Sequence, residues 1–599
     1  MELNELSLDI DNLLNAYAQG TFMPADVFET IDARIRRQPD HNAWITRLSA
    51  AQVKVYLDAL GPFDPEKKPL YGIPFAIKDN IDLEGVPTTA ACPEFAFTPE
   101  KSAFVVQRLI DAGAIPIGKT NLDQFATGLV GARSPYGPGH NSFDYGLISG
   151  GSSSGSAISL AMGQVSFSLG TDTAGSGRVP AALNNLVGLK PTHGLLSASG
   201  VLPACRSLDC ISIFALCSDD AQRVLDIAAA FDASDEYARP APASEPAFDT
   251  ADFSFGVPRA EQLEFFGNKE GAGMFELAVE KLESLGGRKI EIDFDPFLEA
   301  ARLLYEGPWV SERYVAIESF IEQQPKALFP VTYEITAGGA SLKATDAFKA
   351  QYRLKQLKRK TDPIWSEVDF ILTPTAGRHY SIEEVEADPI RLNSNLGYYT
   401  NFMNLLDFSA FSVPSGFQKN GLPFGVTLFA PAFTDRSLMR VGDRLHRALV
   451  STQGATGLPL PEASGSDALP EGWTRVAVCG AHLSGLPLNH QLTDRGACLL
   501  EKTRTSANYQ LYALPGGPPY RPGLIRSDAG QAIEIEIWAI PLQNYGSFVA
   551  GIPAPLGIGM LETEAGEWLQ GFLCEPYAVS EAEDITALGG WRAYIDSKA

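Results

Sequence analysis

Residues 169–183 read LGTDTAGSGRVPAAL. The apolar start has strand character, the small residues 173–177 make a tight turn, and Pro180 followed by Ala-Ala-Leu opens a helix. A strand that turns straight into a helix belongs to an α/β sheet. The turn presents Ser176 as a nucleophile between Asp172 and Arg178, with no histidine nearby to take its proton. Consecutive N–H groups of Thr173, Ala174, Gly175 and Ser176 in such a turn can point at a developing oxyanion, and Gly175 and Gly177 permit unusual backbone angles.

Two neighbouring stretches supply a proton path. Upstream, GGSSSGSA at 150–157 fits the G-x-S-x-G nucleophile elbow through Gly151, Ser153 and Gly155. That motif requires a hydrophobic strand before it, and NSFDYGLISG at 141–150 is a poor one, so the elbow reading is set aside. Further upstream, Lys78 in FAIKDN follows an apolar strand, where burial would strip its proton and leave a competent base. Ser152 bridges the two: it accepts the proton of Ser176 and passes its own to Lys78. Each piece also has a plain structural reading, with Lys78 as a solvated strand end, the serines as turn formers, and Asp172 with Arg178 as an ion pair.

The surroundings agree with an α/β enzyme. Residues 1–60 carry apolar side chains at helical spacing, as in DVFETIDARIRRQ, and form a helical lead-in. YGIPFAIKDNI and AIPIGKTNL are short strands separated by the helical AFVVQRLIDAGA, a βαβ rhythm, and VDFILTPTA and FGVTLFAP add later strands. GATGLPLPEASGSDALPEG at 454–472 reads as a linker. It divides a first domain at 1–453 from a second at 473–599, whose TRVAVCGAHL, QAIEIEIWAIP and WLQGFLCE make it β-rich.

Composition excludes several classes. The 599 residues are 45% hydrophobic and 20% charged, enough to bury a large core. A net charge of −25 repels nucleic acid and anionic membranes, so an anionic substrate needs locally placed arginines. The 7 cysteines are odd in number, lack a C-x-x-C pair, and read as reduced thiols of a cytoplasmic protein. MELNELSLDIDNLLNAYAQG lacks the pattern of a signal peptide, and no run is apolar enough to span a membrane. No phosphate loop, H-E-x-x-H or zinc-spaced Cys/His set is present, so neither metal nor cofactor is expected.

Together, GGSSSGSA and TDTAGSGRVPAALNNLVGLKPTHG resemble the signature of the amidase signature family, serine hydrolases with a Ser–cisSer–Lys triad. The resemblance extends over residues 20–450, including NLLDFSAFSVPSG and GLPFGVTLFAP. It implies a central mixed, twisted sheet flanked by helices, with Ser176 acylated, Ser152 on a cis peptide, Lys78 as base, and the amides of Thr173, Ala174, Gly175 and Ser176 as oxyanion hole. Ser154 stands where glycine is commoner in the family, so unusual turn geometry is expected there.

Within that family, LLYEGPWVSERY at 303–314, QFATGLVGARSPYG at 124–137 and VCGAHLSGLPLNHQL at 478–492 are similar to the allophanate hydrolase branch. Periodicity alone makes Tyr305, Trp309 and Arg313 one face of a single helix. The resemblance instead implies that Tyr305, Arg313 and Gly128 bind substrate, with Arg313 holding a carboxylate in a bidentate pair. It implies hydrolysis of allophanate to ammonia and carbon dioxide, and a homodimer. The second domain resembles a γ-glutamyl cyclotransferase-like module that processes the N-carboxycarbamate intermediate, with His482 as its candidate catalytic residue. Allophanate would come from a biotin-dependent urea carboxylase or from a biuret-producing hydrolase of triazine breakdown. The competing readings are a malonamate-type amidase, an amidotransferase subunit acting on charged tRNA, and a silent scaffold.

Overall fold

The computed structural model describes residues 6–242, 246, 248–463, 472–518 and 520–598. It divides into two compact units, 1–241 with 251–463, and 242–250 with 464–599.

The first unit is built on an eleven-stranded sheet. In chain order its strands are β1 Trp44–Arg47, β2 Pro74–Lys78, β3 Ile115–Thr120, β4 Phe167–Asp172, β5 Val187–Lys190, β6 Cys210–Ala215, β7 Phe253–Pro258, β8 Gly287–Ile292, β9 Phe370–Pro374, β10 Phe408–Phe417 and β11 Pro423–Pro431. The spatial order is β1-β3-β2-β4-β6-β5-β10-β11-β9-β7-β8. Near one end β2 runs parallel to both β3 and β4; near the other β7 runs parallel to β8 and β9; the middle is antiparallel. The sheet is therefore mixed.

Sequence explains the parallel part. Strands β2, β3 and β4 are buried at every position, with apolar residues leading and the buried polar Lys78, Lys119, Thr120, Thr171 and Asp172 gathered at their carboxyl ends. The helix Phe104–Asp111, burying Val105, Val106 and Leu109, carries the chain from β2 to β3. Lys78, Thr120 and Asp172 are the last residues of three parallel strands and lie on one edge, with Lys78 paired to Thr120. Open α/β sheets gather their ligands at such carboxyl ends. At the far end, Phe294, Phe297, Phe402, Phe408 and Phe429 form an aromatic core, with Phe294 and Phe402 edge to face at 5.5 Å.

Two local expectations meet a different backbone. The single helix read across 303–314 is two, Asp295–Glu306 and Trp309–Ala316, because proline at 308 removes an N–H donor and pushes Gly307 into an extended conformation. In the turn where unusual geometry is expected, the Gly151–Ser152 peptide is cis, while Ser154 itself begins the regular helix Ser154–Ala161 and its hydroxyl donates to Asn121 O at 3.2 Å. Here Gly155 carries the close approach, because a Cβ on it would meet the Ala43 carbonyl and lie 2.6 Å from Asn121 N.

The lead-in forms helices Ile10–Ala18, Pro24–Arg37 and Ala50–Ala59 with β1 between the last two; residues 1–5 lie outside the described residues. The stretch read as a linker is stitched to the first unit at its start. Asn185 Nδ2 donates to Thr452 O and Gly454 O at 3.1 and 2.9 Å, and Gln453 Nε2 donates to Ser7 Oγ and Pro459 O. Residues 464–471 of it lie outside the described residues.

The second unit holds a five-stranded sheet in the spatial order Cys498–Arg504, Glu534–Pro541, Trp473–Val478, Trp568–Cys574, Leu556–Glu562, and a three-stranded one. Among the described residues no disulfide joins any of the seven cysteines, and no helix is long and apolar enough to cross a membrane.

Candidate active site

At the shared strand edge, Lys78 is wholly buried, and its Nζ lies 2.7 Å from Ser152 Oγ and 2.7 Å from Thr171 Oγ1. The Gly151–Ser152 peptide is cis. Burial lowers the Lys78 pKa to about 7 against the opposing fields of Asp123, Asp209 and Asp172. A lysine in this state is largely neutral just above neutral pH and has a lone pair to offer Ser152.

Ser176 follows β4 by one turn. Its Oγ donates to Gly128 O at 3.5 Å, and no hydrogen bond joins it to Ser152, so the proton path requires the Ser176 hydroxyl to rotate. Asp172 holds this turn: its carboxylate takes the Gly175 amide at 2.7 Å and the Gly177 amide at 3.0 Å, and pairs with both Arg178 Nε and Nη2 at 2.9 Å. Burial alone would raise the Asp172 carboxyl; the Arg178 guanidinium, the Lys190 charge and the Gly177 amide together outweigh it and hold the group below its ordinary range. The ion pair seen in the sequence is therefore what shapes the nucleophile turn.

This shaping corrects one oxyanion donor. The Gly175 N–H is committed to Asp172, so it is not free for substrate; the amides of Thr173, Ala174 and Ser176 have no acceptor among the described residues. Gly175 still has to be glycine, since its φ is +142° and a Cβ would strike the Thr400 hydroxyl. The Thr173 hydroxyl donates to the buried Asp209, and Asn404 Nδ2 donates to the Asp172 and Thr173 carbonyls at 2.7 and 3.1 Å.

Across the turn, Asp123 organises residues 128–133 by accepting the amides of Val130, Gly131 and Arg133. Gly128 has φ +155°, and a Cβ there would fall 2.7 Å from Asp123 Oδ2. Arg313, only 3% exposed, donates through Nη1 to Ala126 O at 3.2 Å and Thr127 Oγ1 at 3.1 Å; its Nη2 lies 3.4 Å from Tyr305 OH, and the guanidinium carbon is 5.4 Å from the Tyr305 ring centre. Its Nε has no partner, and no carboxylate pairs with it among the described residues. Burial opposes its charge, and the fields of Cys205, Tyr305, Asp209 and Glu312 outweigh that cost, so the guanidinium stays charged with no carboxylate paired to it. The structure thus brings Lys78, Ser152, Ser176 and the 173–176 turn together, with Gly128 against Ser176 and Tyr305 against Arg313.

Residues absent from the sequence reading are Thr171, Asp123, Asp209 and Arg133. Thr171 is signalled by register, since β4 runs parallel to β2 and its end meets Lys78. Arg133 is the sole charged residue in QFATGLVGARSPYG. Asp123 acts through backbone amides, and Asp209 through the Thr173 hydroxyl and the amides of Ala204 and Cys205, which no local pattern reveals.

His482 belongs to the second unit. Its Nε2 is 3.0 Å from Gln491 Oε1, its ring lies 5.3 Å from Phe548 and 5.0 Å from Phe572, and burial lowers its pKa. With Cys479, Gln491, Arg521 and Phe572 it lines a cavity of about 430 Å³.

Comparison with known proteins places this geometry. Residues 26–439 match the Amidase family model, and 474–596 match the Allophanate hydrolase C-terminal domain. The urea amidolyase of Saccharomyces cerevisiae is 44% identical over 93% of this chain and 31% of its own length, and that of Lachancea kluyveri 41% identical over 100% and 34%. The chain thus spans about a third of these curated relatives. The structure of Kluyveromyces lactis allophanate hydrolase is 40% identical, covers 99% of both chains, and superposes with a TM-score of 0.81. With more than half of its length matched by the family model, the chain belongs to the amidase family and carries at 474–596 an allophanate hydrolase C-terminal domain.

Proposed function

We propose that this chain hydrolyses allophanate, with Ser176 as nucleophile, Ser152 as proton bridge and Lys78 as base. The observation that carries the reading is the 2.7 Å contact of a buried, deprotonation-prone Lys78 with Ser152, set in a site whose Arg313 lacks a carboxylate partner. The Ser176 hydroxyl turns to Ser152 and attacks the terminal amide carbon. Its proton moves to Ser152 as the Ser152 proton moves to Lys78, and the tetrahedral oxyanion is met by the amides of Thr173, Ala174 and Ser176. Lys78 then returns the proton through Ser152 to the leaving nitrogen, so ammonia departs and an acyl-enzyme remains. Water, deprotonated along the same path, cleaves the ester and releases N-carboxycarbamate. Arg313 and Tyr305 hold the substrate carboxylate throughout, and the Gly128 carbonyl receives an N–H of the amide.

In the second unit, His482, kept neutral by burial, faces a cavity that also contains Arg521. This supports a second step there, in which N-carboxycarbamate loses carbon dioxide and the resulting carbamate decays to a second ammonia. A biotin-dependent urea carboxylase is the proposed source of substrate; the relatives that support this are urea amidolyases roughly three times as long as this chain. Cytoplasmic location and a homodimer stay part of the proposal.

The test is ammonia release from allophanate, malonamate and neutral amides by the wild type and by Ser176→Ala. Ser176-dependent release that is rapid from allophanate and much slower from malonamate and neutral amides is the expected result. Release from neutral amides alone would retain the triad and remove Arg313 from substrate binding. Inactivity on all of them would favour an amidotransferase subunit that needs its partners.

A further inference from the structure

Arg133 is a second buried guanidinium beside the first. It is 2% exposed, its Nη1 donates to Thr127 O at 2.9 Å and its Nη2 to Pro389 O at 2.6 Å, and its Nε has no partner. No carboxylate lies within ion-pair distance of its guanidinium among the described residues; the buried Asp123, which accepts the Arg133 amide at 2.9 Å, exerts the strongest opposite field on it. Thr127 is therefore gripped from both sides, its carbonyl by Arg133 and its hydroxyl oxygen by Arg313, while the same hydroxyl donates to Phe125 O at 3.2 Å. The next residue, Gly128, presents its carbonyl to Ser176, and a Cβ on it would lie 3.1 Å from Arg133 Nη1. One three-residue segment, 126–128, thus touches both arginines and the nucleophile.

We propose that Arg133 is a positioning residue for anion selectivity: it fixes residues 126–128 so that Arg313 faces the substrate carboxylate, and it adds a second positive charge behind that site. The proposal rests on reading Arg313 as the carboxylate hook. Carbonyl clamping alone does not call for a charge, because a well-packed apolar side chain commonly replaces a buried ionic group at no loss of stability. Two guanidiniums that share Thr127, each in the field of a carboxylate but neither directly paired with one, leave donors for an arriving carboxylate to complete. Arg133 does not touch that carboxylate; it acts through Thr127 and through its field.

Arg133→Met and Arg133→Lys in the full chain test this, with kcat and KM measured on malonamate, which is anionic, and on malonamide, its neutral counterpart, and with thermal melts to verify folding. For Arg133→Met the malonamate kcat/KM is expected to fall about tenfold, mostly in KM, the size of effect one unit charge exerts from roughly 10 Å at an effective dielectric of about 20. Malonamide turnover stays within about threefold, and Arg133→Lys recovers part of the loss on malonamate because it keeps the charge. A parallel fall on both amides, no fall on either, or loss of the folded state in both variants would overturn the proposal and leave Arg133 a structural residue. Arg313→Met read on the same two amides separates the two ideas. If it leaves their ratio unchanged, the hook itself is wrong; if it collapses the ratio and Arg133→Met does not, only the role of Arg133 fails.

Discussion

Lys78 Nζ stands 2.7 Å from Ser152 Oγ at the end of a strand buried on both faces, and burial brings its pKa to about 7. The sign of the consequence is fixed. Below pH 7 Lys78 carries a proton and cannot accept another; above it the amine is free. The rate of attack, read as kcat/KM, is expected to rise through pH 7 and level off above it. A pH–rate profile checks this, and a rise continuing beyond pH 9 would contradict the assigned base. Lys78→Ala is expected to lose about two to four orders of magnitude in kcat, the usual weight of a general base.

Asp172 serves the ion pair and the nucleophile turn at once. Asp172→Asn leaves the buried Arg178 uncompensated and takes away the charge that orders the Gly175 and Gly177 amides. Removing one partner of a buried pair costs about 3–5 kcal/mol. A melting-temperature drop together with loss of activity is expected, while Ser176→Ala loses activity at unchanged melting temperature.

Gly128 combines a φ of +155° with no room for a Cβ beside Asp123. Gly128→Ala therefore strains the backbone by about 1–3 kcal/mol and turns the 128 carbonyl away from Ser176. Acyl-enzyme formation, followed as the burst of the first ammonia, is expected to slow more than deacylation. Equal slowing of both steps would show that the carbonyl plays no part in placing the amide.

Arg313→Lys keeps a positive charge but loses the planar fork. For allophanate the expected loss in kcat/KM is about 1.5–3 kcal/mol, the worth of hydrogen bonds to a charged group, with neutral amides little changed. Comparing the two substrate classes on the same variant is the measurement.

His482→Asn is expected to leave the first ammonia unaltered and to delay the second. Ammonia counted per allophanate at early times reads this directly. Unchanged early stoichiometry would assign the second unit a structural part only.

The sequence carried the chemistry further than the architecture. Lys78, Ser152 and Ser176 were legible because each needs small or apolar neighbours whose pattern is local. The sheet order was not, because β10 and β11 enter it from more than 200 residues downstream, between strands that local pattern treats as remote. Tyr305 and Arg313 were found by resemblance, whereas their approach across a broken helix depends on Gly307 and Pro308. The commitment of the Gly175 amide was hidden for the opposite reason: Asp172 lies three residues away, but only the folded turn shows which amides its two oxygens choose.

The stitching of residues 452–459 to Asn185, Ser7 and the adjoining backbone sets where the chain can be cut. Trimming at 450 strips acceptors from the buried Asn185 amide, and each such orphaned group costs about 1–3 kcal/mol. An amidase unit ending at residue 463 keeps these bonds and one ending at 450 loses them, so the longer unit is expected to melt at the higher temperature.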